Sequence, residues 1–177
     1  MKITQTPLAD CFVIEPQIFG DSRGSFMETY NEQKFPAEVH FVQDNQSISQ
    51  KGVLRGLHFQ TGIYAQAKLV RVIRGEVLDV AVDIRPESKT FGQHFSIILN
   101  EENNKQLFVP RGFAHGFAVL QDNTIFAYKC DNFYNKEAES GIIYNDPDIA
   151  IDWRLDDEEM ILSDKDKLLP NLKSLLL

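Results

Sequence analysis

Short apolar runs recur along the chain, broken by Gly, Asn, Asp and Pro. The most regular covers residues 77–84. Leu78, Val80, Val82 and Ile84 alternate there with Val77, Asp79, Ala81 and Asp83. A period of two gives a strand one apolar face and one face able to present carboxylates. Further strand-like runs fall at 11–14, 25–30, 41–49, 54–60, 66–74, 92–99, 107–110, 113–120 and 124–133. Turn residues separate them at 21–24, 51–52, 74–76, 100–104, 111–112 and 121–123. Helical signals are confined to two places. Residues 31–36 read as a short helical turn closed by Pro36, and residues 162–167 as a helix. In the latter, Ser163 is an N-cap candidate and acids occupy the first turn. Many short strands at roughly 8–12-residue spacing predict a sandwich or barrel. The expected fold is all-β, a double-sheet jelly roll with a few short helices at its edges.

Length and charge narrow the class. A chain of 177 residues suits one domain, spanning 1–177, with a core of its own. The net charge of −8 argues against general nucleic-acid or membrane-surface binding, which needs a basic field. The charge is uneven, however. Residues 146–166 are strongly acidic, whereas Arg23, Arg55, Lys68, Arg71, Arg74 and Arg111 lie earlier, so a local basic cluster for a small anion remains open. Cys11 and Cys130 are too few for a disulfide framework and read as buried free thiols, which fits a reducing cytoplasm. The first residues lack the apolar core of a signal peptide. No stretch approaches the about 20 apolar residues of a membrane span.

The chemistry concentrates in Leu54-Arg55-Gly56-Leu57-His58-Phe59-Gln60. A buried strand has no cheap place for an unpaired Arg or His. His58 is either a satisfied core histidine or a base, and Arg55 and Lys68 nearby weaken the first reading. On a flat strand Arg55 and His58 face opposite sides, because they are three apart. Both reach one site only if the strand bulges, and Gly56 is the natural place. Lys68 is either a snorkelling strand-end lysine or a cation for a developing oxyanion. His115 shares a face with Phe113, Phe117 and Val119, and is expected to bond a carboxylate, with Asp79 the nearest choice. Tyr128 and Tyr134 share a face if residues 126–134 stay extended. Each is either packing or a proton donor. Cys130 between them reads as packing. None of His40, His58, His94 and His115 forms the pair that gives two metal ligands from one element, so no metal is expected. A glycine-rich phosphate loop is also missing, so a nucleotide would be held by side chains such as Arg23.

The chain resembles the dTDP-4-dehydrorhamnose 3,5-epimerase family of the cupin or jelly-roll class. The resemblance rests on Asp21-Ser22-Arg23-Gly24-Ser25-Phe26-Met27-Glu28, Gln43-Asp44-Asn45, Leu54-Arg55-Gly56-Leu57-His58-Phe59-Gln60 and Gln66-Ala67-Lys68-Leu69-Val70. It continues through Asp79-Val80-Ala81-Val82-Asp83-Ile84-Arg85, Pro110-Arg111-Gly112-Phe113-Ala114-His115-Gly116-Phe117, Tyr128-Lys129-Cys130 and Leu162-Ser163-Asp164-Lys165-Asp166. The chain departs from the family pattern in two loops. Lys136 stands where the family usually has Pro after Tyr-Asn, and residues 62–65 lack the Pro often found before Gln-Ala-Lys.

The resemblance implies a cofactor-independent epimerase acting on a dTDP-linked 4-keto-6-deoxyhexose in deoxysugar biosynthesis. It implies His58 as base, Asp166 as the carboxylate that orients it, Tyr128 as proton donor and Lys68 as the cation at the enolate oxygen. It implies Arg23, Glu28, Gln43, Asn45, Arg55, Lys68, His115, Glu139 and Lys165 as substrate contacts, and Tyr134 as the ring that stacks on thymine. It further implies a homodimer with exchanged N-terminal strands, so that some contacts cross between subunits. Three alternatives stand beside it: inversion at C3 or C5 alone, a jelly roll that binds sugar nucleotides without turnover, and a metal-dependent cupin.

Overall fold

The computed structural model describes residues 1–176. In chain order its strands are β1 (Lys2–Gln5), β2 (Phe12–Glu15), β3 (Ile18–Asp21), β4 (Gly24–Met27), β5 (Gln43–Ser49), β6 (Leu54–Gln60) and β7 (Lys68–Arg74). β8 (Glu76–Asp83), β9 (His94–Asn100), β10 (Gln106–Val109), β11 (Phe113–Val119), β12 (Thr124–Cys130) and β13 (Glu139–Gly141) follow. Two antiparallel sheets carry the fold. One has the order β1-β2-β10-β7-β12-β5 and the other β13-β6-β11-β8-β9. They face each other as a jelly roll, and β3 and β4 form a separate hairpin.

Apolar side chains sort into three layers. Between the sheets, Val70, Val72, Leu107 and Phe126 of the first meet Val77, Ala81, Leu99 and Phe117 of the second. The rings of Phe117 and Phe126 stack with centroids 4.0 Å apart. Outside the second sheet, Leu78, Val80, Val82, Ala114 and Ala118 are covered by Ile142, Ile149, Trp153 and Leu172. Outside the first, Phe12, Leu69 and Phe108 are covered by Tyr30, Phe35 and Phe41. The alternation in β8 therefore has two buried faces rather than one. Asp79 and Asp83 are fully buried and satisfied within the protein. Asp79 meets His115, while Asp83 accepts from Arg85, Ser88 and Thr90.

Two sequence expectations need correction. Residues 162–167 do not form a helix. Only the single 3-10 turn Asp166–Leu168 is present, because the segment is pinned as an extended strap at both ends. At one end Ile161 donates to the Gly52 carbonyl and accepts from Leu54 N–H, at 2.8 and 3.0 Å. At the other, Ile143 N–H reaches the Pro170 carbonyl at 2.9 Å and Leu172 N–H reaches Asp146 Oδ2 at 2.7 Å. Ser163 is not the N-cap of that turn, which is Lys165, but its Oγ accepts from Asp166 N–H at 3.1 Å. Residues 126–134 do not stay extended either. β12 ends at Cys130, where Asp131 turns back to accept from Ala67 N–H at 2.6 Å. The short turn near 31–36 is present as a 3-10 turn, Glu32–Lys34, capped by Asn31.

Candidate active site

β6 places its polar residues through an irregularity in its pairing. His58 lies opposite His115 and Arg55 opposite Phe117, so Gly56 and Leu57 together face Gly116 alone. That is a bulge at the position the sequence indicated. Gly56 has φ +127°, and a Cβ there would lie 2.6 Å from Gly116 Cα and 2.9 Å from the His115 carbonyl. Only glycine fits. The extra residue lets Leu54 and Leu57 pack outward in the apolar cluster while Arg55 and His58 both turn toward the space between the sheets.

That space is a cavity with two lobes. The larger, about 630 Å³, is bordered by Arg55, His58, Lys68, His115, Tyr128, Lys165 and Asp166 among others. The smaller, about 270 Å³, is bordered by Gln43, Gln60, Cys130, Tyr134 and Glu139. Asn45, His58, Lys68 and Tyr128 border both. His58 belongs to β6 of one sheet, and Lys68 and Tyr128 to β7 and β12 of the other. An imidazole therefore faces a phenol across the cavity, with an ammonium beside the phenol.

His58 Nε2 is 2.6 Å from Asp166 Oδ1. The pair joins residues 108 apart in sequence, brought together by the pinned strap. Burial alone would oppose charge on Asp166. The hydrogen bond and charge of His58, the Ser163 hydroxyl and the Gly56 N–H outweigh it and hold the carboxyl below its ordinary value. Asp166 is thus an anion at neutral pH, suited to fix the orientation of the imidazole.

On the opposing sheet, burial pushes the Lys68 ammonium down and the Tyr128 phenol up. Lys68 Nζ lies 6.0 Å from the Tyr128 ring centroid. Among the described residues Lys68 has no carboxylate partner. An uncompensated ammonium in a cavity gains most when negative charge develops next to it. The Tyr128 phenol keeps its proton at neutral pH and can give it away.

The remaining residues separate into those gathered at the cavity and those outside it. Tyr134 donates its hydroxyl to Glu139 at 2.8 Å, and Glu139 also pairs with Lys165. Burial opposes charge on Glu139, but Lys165 and Tyr134 together hold its carboxyl below the ordinary value. Gln43 donates to Asn45 at 3.1 Å, and Arg55 donates to Ser49 at 3.3 Å. His115, buried, meets Asp79 at 3.0 Å, as the alternation suggested. Cys11 and Cys130 are free and buried; burial raises the Cys130 thiol to about 11, which suits packing. Arg23 and Glu28 are not at this cavity. They sit on or beside the β3–β4 hairpin, where Arg23 pairs with Asp21 and Glu28 with Lys34. Of the basic residues noted in sequence, Arg55 and Lys68 line the cavity, whereas Arg111 pairs with Asp131 and Arg71 borders a different depression on the first sheet. Among the described residues no group of three His, Cys, Asp or Glu side chains could hold a metal ion. No described helix is long and apolar enough to cross a membrane.

Sequence reasoning missed Gln60 and Ser49 as supports of the site. Both end strands, where a polar residue ordinarily needs no explanation.

The family model described as dTDP-4-dehydrorhamnose 3,5-epimerase matches residues 5–174. A dTDP-4-dehydrorhamnose 3,5-epimerase of Shigella flexneri is 51% identical over 170 residues, covering 94% of this chain and 93% of its own. The crystal structure of dTDP-4-dehydrorhamnose 3,5-epimerase from Elizabethkingia anophelis NUHP1 is 54% identical, with a TM-score of 0.95 over 98% of this chain and 97% of that one. A dTDP-6-deoxy-D-glucose-3,5-epimerase from Legionella pneumophila, solved with dTDP-4-keto-L-rhamnose, is 49% identical, with a TM-score of 0.92 over 97% and 93% of the two chains. With the matched residues spanning both sheets and the strap that carries Asp166, this chain belongs to the dTDP-4-dehydrorhamnose 3,5-epimerase family.

Proposed function

We propose that the protein is a dTDP-4-dehydrorhamnose 3,5-epimerase, inverting C3 and C5 of a dTDP-linked 4-keto-6-deoxyhexose. The observation that carries this reading is His58 on one sheet, paired with Asp166 of the strap, facing Lys68 and Tyr128 on the other sheet. A ketone at C4 acidifies the hydrogens on C3 and C5. His58 takes one of them, and the electron pair moves to the C4 oxygen as an enolate. Asp166 stabilises the imidazolium that forms, and Lys68 stabilises the oxygen. Tyr128 then protonates the same carbon from the opposite face, which inverts it. A proton leaves and a proton returns, and no electrons change hands, so the chemistry asks for no redox cofactor.

The cavity's second lobe suits the nucleotide. Gln43, Asn45 and Glu139 offer polar groups there, Lys165 reaches Glu139 from the larger lobe, and Tyr134 offers an aromatic face at the rim. Arg55 and His115 complete the sugar lobe. For Arg23 and Glu28 we propose a role in trans. In a homodimer with exchanged N-terminal strands, the β3–β4 hairpin of one copy reaches the cavity of the other. Support comes from its exposure: Phe19 is 56% and Phe26 70% exposed, apolar surface that an isolated chain leaves in water. The buried thiols suit a reducing compartment, and we take the cytoplasm as the setting.

The test is product analysis by NMR after incubating the enzyme with dTDP-4-keto-6-deoxyglucose in heavy water. Deuterium at both C3 and C5 with inversion at both supports the reading. Inversion at one carbon alone makes the protein a mono-epimerase, and the absence of both exchange and inversion refutes the activity.

A further inference from the structure

Tyr134 stands on no strand, yet both of its flanking peptide groups are fixed by side chains. The peptide before it is held through the Phe133 carbonyl, which accepts from Gln60 Nε2 at 3.2 Å, and through Tyr134 N–H, which donates to Gln43 Oε1 at 3.0 Å. The peptide after it is held through Asn135 N–H, which donates to Gln60 Oε1 at 2.6 Å. Gln60 Nε2 also donates to the Tyr64 carbonyl at 2.8 Å. One buried amide, 7% exposed at the end of β6, thus holds the backbone on both sides of Tyr134 and also grips the separate loop at Tyr64. A second tie joins the same loops: Asn132 Nδ2 donates to the Ile63 carbonyl at 2.8 Å. Side-chain amides thus tie the loop after β6 to the loop after β12.

We infer that Gln60 is a positioning residue for the nucleobase end of the site, keeping the Tyr134 ring in its binding orientation before the ligand arrives. Tyr134 itself is 55% exposed, so packing does not hold the ring. Order that the protein already has need not be created on binding, and affinity rises accordingly. The effect falls on the base and leaves the diphosphate alone. The inference rests on the proposed function, since it takes a nucleobase as the occupant of that lobe.

Gln60→Glu tests it. The substitution keeps size and the oxygen facing Asn135 N–H but removes both donors toward Phe133 and Tyr64. Calorimetric titration with dTDP and with pyrophosphate is the measurement. The expected result is dTDP binding weakened on the order of tenfold, with pyrophosphate binding unchanged and the loss in turnover carried by KM rather than kcat. Asn132→Ala gives the same pattern more weakly and serves if the first variant folds poorly. Combining Gln60→Glu with Tyr134→Ala adds nothing beyond Tyr134→Ala, because the ring is then no longer there to be positioned. Equal loss of dTDP and pyrophosphate, unchanged dTDP affinity, or additive losses in the double variant overturn the inference. Wild-type protein that binds no dTDP refutes the proposed function, and the inference falls with it.

Discussion

Replacing Asp166 by Asn isolates the role of charge next to His58. The amide matches the carboxylate in size and preserves the strap, whose anchors at Ile161, Pro170 and Leu172 lie elsewhere. What is lost is the anion 2.6 Å from His58 Nε2. While His58 is neutral, the loss is one charge-assisted hydrogen bond. As His58 takes the substrate proton, the loss becomes an ion pair. With charge centres about 4 Å apart and an effective dielectric near 20, that pair is worth roughly 4 kcal/mol when fully formed. The transition state has only part of that charge, so the barrier rises by about 2–4 kcal/mol, or roughly 30- to 1000-fold in rate. The assay follows the loss of the C3 and C5 proton signals in heavy water at saturating substrate. dTDP affinity is expected within about twofold of wild type, because Asp166 borders the sugar lobe and not the base lobe. Exchange within threefold of wild type would refute the view that Asp166 supports the charged imidazole.

Other perturbations follow from the same geometry. Gly56→Ala forces a Cβ to 2.6 Å from Gly116 Cα at φ +127°; combined strain and overpacking lower stability by about 2–4 kcal/mol, read by urea unfolding, and wild-type stability would show that the bulge accepts a side chain. Tyr128→Phe is expected to retain deuterium exchange while inversion falls by an order of magnitude or more, measured by comparing wash-in with product stereochemistry; equal loss of both counts against a donor role. Burial opposes charge on Asp83, but Arg85, Ser88 and Thr90 bring its carboxyl down to about 2 from 3.8. A depressed folded pKa contributes stability that is full above 3.8 and lost as pH falls toward 2, about 2 kcal/mol in all. The stability gap between wild type and Asp83→Asn is therefore expected to narrow between pH 4 and pH 2 in urea titrations, and a constant gap contradicts the assignment.

The sequence made strong claims where periodicity was strong. β8 and β11 read clearly as strands because both lie inside their sheet with both faces packed, which gives long, mostly apolar runs. β1 and β3 escaped notice because all of their residues are exposed and no burial pattern marks them. β13 escaped because it is three residues long and defined by pairing with β6. The strap over 161–172 has no period of its own; two distant anchors set its path, so a capping signal at Ser163 read as a helix. The bulge at Gly56 was legible, since Arg55 and His58 three apart cannot share a flat strand face. Asp166 as the partner of His58 was not legible from spacing, because the contact crosses 108 residues; it came with the family resemblance. Gln60 was hidden for a different reason: its bonds go to backbone atoms of loops whose courses no local pattern specifies.

The proposed chemistry depends on His58 removing the sugar proton. Its most direct test is deuterium incorporation at C3 and C5 of dTDP-4-keto-6-deoxyglucose by His58→Ala, with dTDP binding measured alongside to establish that the cavity is intact. With His58 as the base, dTDP still binds and exchange at both carbons is abolished. Exchange at the wild-type rate in a variant that binds dTDP would contradict it and assign the base elsewhere.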